Sequence, residues 1–146
     1  MANVSNVANY FLFKTIDEED SKITNLKLQK LLYYAQGFHL ALFESELYNE
    51  VIEAWMHGPV CPEAYQLFKQ FGANIIPCDE CDEDFDKIFS SEQIELLDEI
   101  YEIFGQFSGW KLRDMTHEEP TWLNNKDMAS EISKPEMREY FKTRVA

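Results

Sequence analysis

Residues 23–43, ITNLKLQKLLYYAQGFHLALF, constrain the fold more than any other stretch of this chain. Leu28, Leu31, Leu32, Ala35, His39 and Leu42 recur at steps of three and four, which puts them on one face of a helix. Thr24 or Asn25 stands where a short side-chain oxygen can accept from a free N–H of the first turn. Tyr33, Tyr34 and Phe38 widen the apolar arc, so the helix is expected to pack on more than one neighbour, while Lys27, Lys30 and Gln36 fall towards the other side. Beyond it, Val51 to Trp55 reads as a short strand closed by a turn at Gly58-Pro59. Pro62 then opens a further helix in its first turn.

A chain of 146 residues has the size of one ordinary domain, and residues 1–146 are expected to form a single one, with no internal repeat and no dividing linker. The 27 Asp and Glu against 13 Lys and Arg give a net charge of -14. Such a surface repels DNA and anionic membranes, because nucleic-acid affinity rests on neutralising phosphates, so no autonomous nucleic-acid or membrane binding is expected. It attracts and steers a basic protein partner. No run of about 18 apolar residues exists, and the start, MANVSNVANYF, lacks the basic region and apolar run of a secretory signal. Three cysteines, Cys61, Cys78 and Cys81, suit a reducing cytoplasm better than a disulfide scaffold.

Taken in order, residues 4–13 read as a first helix and residues 17–22 as a charged loop. After the central helix, a second short strand is expected around Leu47-Tyr48, pairing with 52–55. Residues 62–71 form a third helix stopped by Gly72, and the acidic CDECDEDFDK is expected as an exposed loop. Ser90 and Gln93 have capping-box spacing at the start of a helix to Phe107. A short helix, 110–116, carries Trp110, Leu112 and Met115; Trp122 begins an irregular segment, and Ser133, Pro135 and Glu136 open a last helix to about Thr143. The fold class is therefore mainly α, with a small β element beside the central helix.

Two blocks carry a resemblance. LKLQKLLYYAQGFHLAL, IEAW and HGPVCPEAY form the first, and GWKLRDMTHEEPTW forms the second. In this order they resemble the SocA-like or Panacea antitoxin domain, also called the GepA phage-associated family, over about residues 3–141. The matching positions are Leu28, Lys30, Leu31, Tyr33, Tyr34, Gln36, Trp55, Gly58, Pro59, Val60, Tyr65, Trp110, Leu112, Thr116, His117, Pro120 and Trp122. The resemblance implies an antitoxin that neutralises a cognate protein toxin by direct contact, or that delivers it to an ATP-dependent protease. These positions mark structural or partner-binding roles, and no enzyme activity, cofactor or metal is implied. The acidic balance adds that the toxin's contact face is expected to be basic.

Other chemistry is weaker. Cys78-Asp-Glu-Cys81 lacks a second ligand pair for structural zinc, and its acidic neighbours raise thiol pKa values, so no metal site is expected. The alternative function is a small thiol- or metal-dependent hydrolase using Cys61, His57 or His117, but Gly58-Pro59 separates the first two and no third orienting residue stands out. His117 is better placed to cap the end of the 110–116 helix with Trp122 packed beside it. The three tryptophans are expected in the core, with Trp55 plugging the face of Leu28, Leu31 and Leu32.

Overall fold

The structure, a computed structural model, describes residues 2–16, 18, 22–78 and 81–145. In chain order these form α1 (Val4–Phe13), α2 (Asn25–Phe43), β1 (Glu53–Trp55), β2 (Gly58–Val60), α3 (Pro62–Phe68), α4 (Phe85–Ile88), α5 (Ser91–Phe104), α6 (Gly109–Thr116), α7 (Pro120–Leu123) and α8 (Lys134–Lys142). The architecture is mostly helical with one two-stranded antiparallel sheet, as the sequence periodicities predict. Among the described residues, no helix is long and apolar enough to cross a membrane.

Helix α2 starts at Thr24, whose hydroxyl accepts from the Lys27 N–H at 3.3 Å, and ends at Glu44 in the left-handed conformation. It packs most extensively on α8, then on α6 and α5, with α1, α3 and β2 closing the remaining sides. The α8 contact depends on Gly37: a Cβ there would lie 2.2 Å from Phe141 Cε2. Phe141 fills the space instead, with its ring 5.4 Å from that of Tyr33 and 4.9 Å from that of Phe38.

Because neighbours surround α2, two expectations change. Leu42 belongs by spacing to the apolar stripe but lies in the uncovered last turn and is half exposed. Lys27, Lys30 and Gln36, read as falling on the opposite side, are all buried. There is no free side, so their polar ends take backbone partners. The Gln36 amide accepts from the Leu47 N–H and donates to the Tyr48 carbonyl, both at 2.7 Å, and the Tyr48 hydroxyl donates to the Leu32 carbonyl at 2.8 Å.

These bonds hold Leu47-Tyr48 as a buried loop and not as the expected strand. The partner of β1 is β2, in register Glu53↔Val60, Ala54↔Pro59 and Trp55↔Gly58. The Gly58-Pro59 pair read as a break thus lies inside a strand, where a two-stranded edge tolerates a residue with no N–H. Beyond β1, the Ala54 N–H bonds the Ser130 carbonyl at 3.0 Å and the Ile132 N–H bonds the Ile52 carbonyl at 2.8 Å, tying the hairpin to the run before α8.

Elsewhere the caps read from sequence are present and the boundaries shift. Ser90 and Gln93 form the reciprocal capping box, but α5 ends at Phe104 because Ser108 caps the following helix. Helix α3 ends at Phe68 and continues as a 3-10 turn, Lys69–Phe71, before Gly72. Within the acidic stretch, Phe85 buries edge-on against Tyr10 at 5.0 Å and nucleates α4. Asp79 and Glu80 of that stretch, and most of the charged loop before α2, lie outside the described residues. Trp122 sits in the short helix α7 and not in an irregular segment. Ser133 caps α8, while the Glu136 carboxylate takes bonds from Asn124 and Asn125.

Candidate functional site

The matching positions gather on the side of α2 that meets the hairpin, α6 and α7. Leu28, Leu31 and Leu112 are core. Tyr33 and Tyr34 both reach Glu119, just before α7. Tyr33 donates to Oε1 at 2.6 Å and Tyr34 to Oε2 at 2.8 Å. Tyr33 has one proton and spends it on the carboxylate, so the Thr121 hydroxyl, 2.6 Å away, is the donor in that contact. Arg144 donates to Glu119 Oε2 at 3.2 Å from the end of the chain. Burial and the adjacent Glu119 carboxylate push both phenols well up. Burial likewise raises the Glu119 carboxyl, against the opposing pull of the three donors Tyr33, Tyr34 and Arg144.

Lys30 lies one turn before Tyr34 and is fully buried. Its ammonium donates to the Pro59 carbonyl at 3.1 Å. Gly58, at φ +107°, lets the strand pass: a Cβ there would lie 2.6 Å from Lys30 Cε and 2.8 Å from Thr116 Oγ1. Thr116 in turn donates to the Arg113 carbonyl at 2.8 Å. Desolvation, with a smaller repulsion from Arg113, lowers the Lys30 pKa from its ordinary 10.5 to about 7. The family positions Lys30, Gly58, Pro59 and Thr116 are therefore one assembly of three segments.

His117 stands at the C-cap position of α6 and stacks on Trp122, with ring centroids 3.9 Å apart and planes within 8°. Its ring bonds the Met56 backbone in place of the helix-end carbonyls, and burial lowers its pKa. Trp122 is buried and donates to the Trp55 carbonyl at 2.7 Å. Pro120 opens α7 and sets Trp122 on this side. Trp55 itself does not plug the Leu28 face. In β1 only Ala54 points inward, which leaves Trp55 half-buried, edge-on to Tyr65 at 5.1 Å and bonded to Glu53 at 2.8 Å.

Over this base lies an exposed face. Met56 at the hairpin tip is 74% exposed, Trp110 59% and Met128 86%. Trp110 is thus on the surface and not in the core. Arg113 lies over its ring at 5.5 Å and donates from Nε to His57 Nδ1 at 3.1 Å; the His57 ring meets Trp110 edge-on at 5.3 Å. Two hollows flank Met56. One, of about 930 Å³, opens between the starts of α2 and α6, and the other, of about 750 Å³, opens towards Met128. Sequence reasoning did not single out Met56, Arg113 or Met128, because their placement follows from the turn at Met56-His57 and the packing around it, which no local pattern gives.

The Cys61 thiol is buried and raised by desolvation to about 11, which opposes thiolate formation. His57 Nδ1 is occupied by Arg113, so it is not set to act as a base for Cys61. Among the described residues, no three His, Cys, Asp or Glu side chains come together as a metal-binding group. The exposed face itself carries large amphipathic side chains and an arginine, residue types enriched in protein interfaces.

Comparison with known proteins agrees with the sequence resemblance. The family described as Antitoxin SocA-like, Panacea domain, matches residues 28–123, which contain the hairpin, α6, and Glu119 with its Tyr33 and Tyr34 partners. Antitoxin SocA of Caulobacter vibrioides (strain NA1000 / CB15N) is 44% identical over 70 residues, 48% of this chain and 37% of that protein. The chain thus spans well under two thirds of that relative's length. No solved structure matches significantly. With its family blocks assembled around one hairpin and matched over most of their extent, the chain belongs to the SocA-like antitoxin family that carries the Panacea domain.

Proposed function

We propose that this protein is an antitoxin that neutralises a protein toxin by direct binding through the face around the hairpin tip. The observation that carries the reading is the cluster of exposed Met56, Trp110 and Met128 on a base held by Lys30, Glu119 and Trp122. Rigid presentation lowers the entropy cost of association, and exposed aromatic and Met side chains supply the buried area. The net charge of -14 favours encounter with a partner of net positive charge, and association should slow as salt rises. A partner brought to a protease would use the same face without chemistry by this chain.

The test is co-expression with the product of the adjacent gene, followed by pull-down. Growth rescue with a stable complex, lost in Trp110→Ala, supports the reading. Rescue without a complex, abolished by a folded Cys61→Ala or His117→Ala variant, would replace it with the hydrolase alternative. Repeating the rescue in a host lacking its ATP-dependent proteases separates blocking from delivery.

A further inference from the structure

The hollow between the starts of α2 and α6 differs in charge from the chain as a whole. The chain has about two acids for every base, yet the described residues lining this cleft contribute Lys22, Lys27 and Lys30 and no Asp or Glu. Two of those lysines are buried. Lys27 donates to the Gly105 carbonyl at 2.6 Å and Lys30 to the Pro59 carbonyl at 3.1 Å, and neither pairs with a carboxylate among the described residues. Burying an ammonium without an anion is costly, and the packing alone would be met by an apolar side chain. Burial lowers the pKa of both.

The backbone adds to the same sign. The first turns of α2 and α6 line the cleft side by side, with the ideal Cβ position of Gly109 3.0 Å from the Lys27 backbone nitrogen. Neither first turn holds an acidic residue, although helix N-termini favour them. Around this floor of lysines and helix starts the walls are apolar and aromatic: Trp110, Trp55, Tyr65 and Met56. The volume of about 930 Å³ accommodates one or two large side chains.

We propose that this cleft seats an acidic anchor of the protein partner, a large apolar or aromatic side chain with a carboxylate beside it. The ring lies among Trp110, Trp55 and Tyr65, and the carboxylate faces Lys27 and the two helix starts. This rests on the toxin-binding reading for the identity of the partner as a protein, and it refines the charge argument: the long-range field draws a basic partner, while the contact point takes an acidic element of it.

The experiment selects displayed random peptides on the immobilised protein and measures a recovered peptide by fluorescence anisotropy. Recovered sequences should pair an aromatic or large aliphatic residue with Asp or Glu. Trp110→Ala and Lys27→Met should each weaken the peptide by about ten-fold or more, with the exposed Trp110 change leaving the melting midpoint in place. Lys134→Met, which is paired with Glu46 and lies outside the cleft lining, should not. Recovery of basic peptides, failure to recover any, or undiminished binding by both cleft variants overturns the proposal. Thermal protection by ATP or inorganic phosphate with no peptide selected would make the cleft a small-anion site and also overturn it. Acidic selection without toxin rescue would keep the cleft and remove the antitoxin reading; rescue with no acidic selection would do the reverse.

Discussion

Lys30→Met should change how stability responds to pH. Lys30 is 0% exposed, has one carbonyl acceptor at 3.1 Å and is repelled by Arg113, so its pKa falls from 10.5 unfolded to about 7 folded. A shift of that size corresponds to about 5 kcal/mol against the ionised form, taken as an upper bound. Between the two values the unfolded chain holds more protons, so folded stability rises with pH; below the folded value the penalty is complete. The useful window runs from about pH 7 to about pH 9, over which this single group adds about 2 kcal/mol of stability. Above it, the Cys61 thiol, raised to about 11, begins to act in the opposite sense. Lys27, also lowered by burial, works in the same direction as Lys30 and cancels when the variant is compared with the parent. Methionine keeps the unbranched stem and removes the charge. Urea denaturation at several pH values should show the parent gaining about 2 kcal/mol relative to Lys30→Met across the window, or about 4–8 °C in melting midpoint. Parallel curves would refute the account, since they would mean that the ammonium is solvated in the folded protein.

Three further outcomes follow from the packing. Gly37→Ala should destabilise by about 1–3 kcal/mol despite alanine's better helix propensity, because Phe141 is hemmed in by Tyr33 and Phe38; a raised melting midpoint would show that α8 can shift. Trp122→Ala should cost about 3–5 kcal/mol and Trp55→Ala clearly less, since only the former is buried; equal losses in urea melts would contradict this. In the native protein the Cys61 thiol should react with Ellman's reagent far more slowly than Cys78 or Cys81, becoming equal on denaturation; fast labelling of Cys61 in the native state, read by mass spectrometry, would reopen the thiol alternative.

Local signals carried much of the fold. Thr24, Ser90 and Ser133 cap helices because a side-chain oxygen next to an apolar repeat is a purely local arrangement. Burial was less legible where it depends on distant segments. Lys27 and Lys30 are hidden by α6, the hairpin and the turn at Gly105, none of which their own helix reveals. The partner of β1 was misread for a similar reason: Gly58-Pro59 has poor strand propensity, and pairing across a two-residue turn overrides it. In α6 the buried pair is Leu112 and Thr116, four apart; Trp110 is two positions off that line and so faces out, which the spacing itself could have shown. The two family blocks located the region, but which of their members touch solvent emerged only from the packing.

The interlock of Lys30, Gly58 and Thr116 bears on how such chains can diverge. Each of the three comes from a different segment, and each occupies room the others leave: a side chain at Gly58 would overlap both neighbours, and a bulkier residue at Thr116 would press on the strand. Single replacements are therefore steep, and a larger residue at Gly58 needs three changes together: a shorter residue at the Lys30 position, room at Thr116, and a hairpin backbone that leaves the φ of +107°. Lineages of this fold should cross between solutions by coordinated substitutions. A sequence with any side chain at the Gly58 position should show both a shortened partner on the central helix and a rebuilt hairpin.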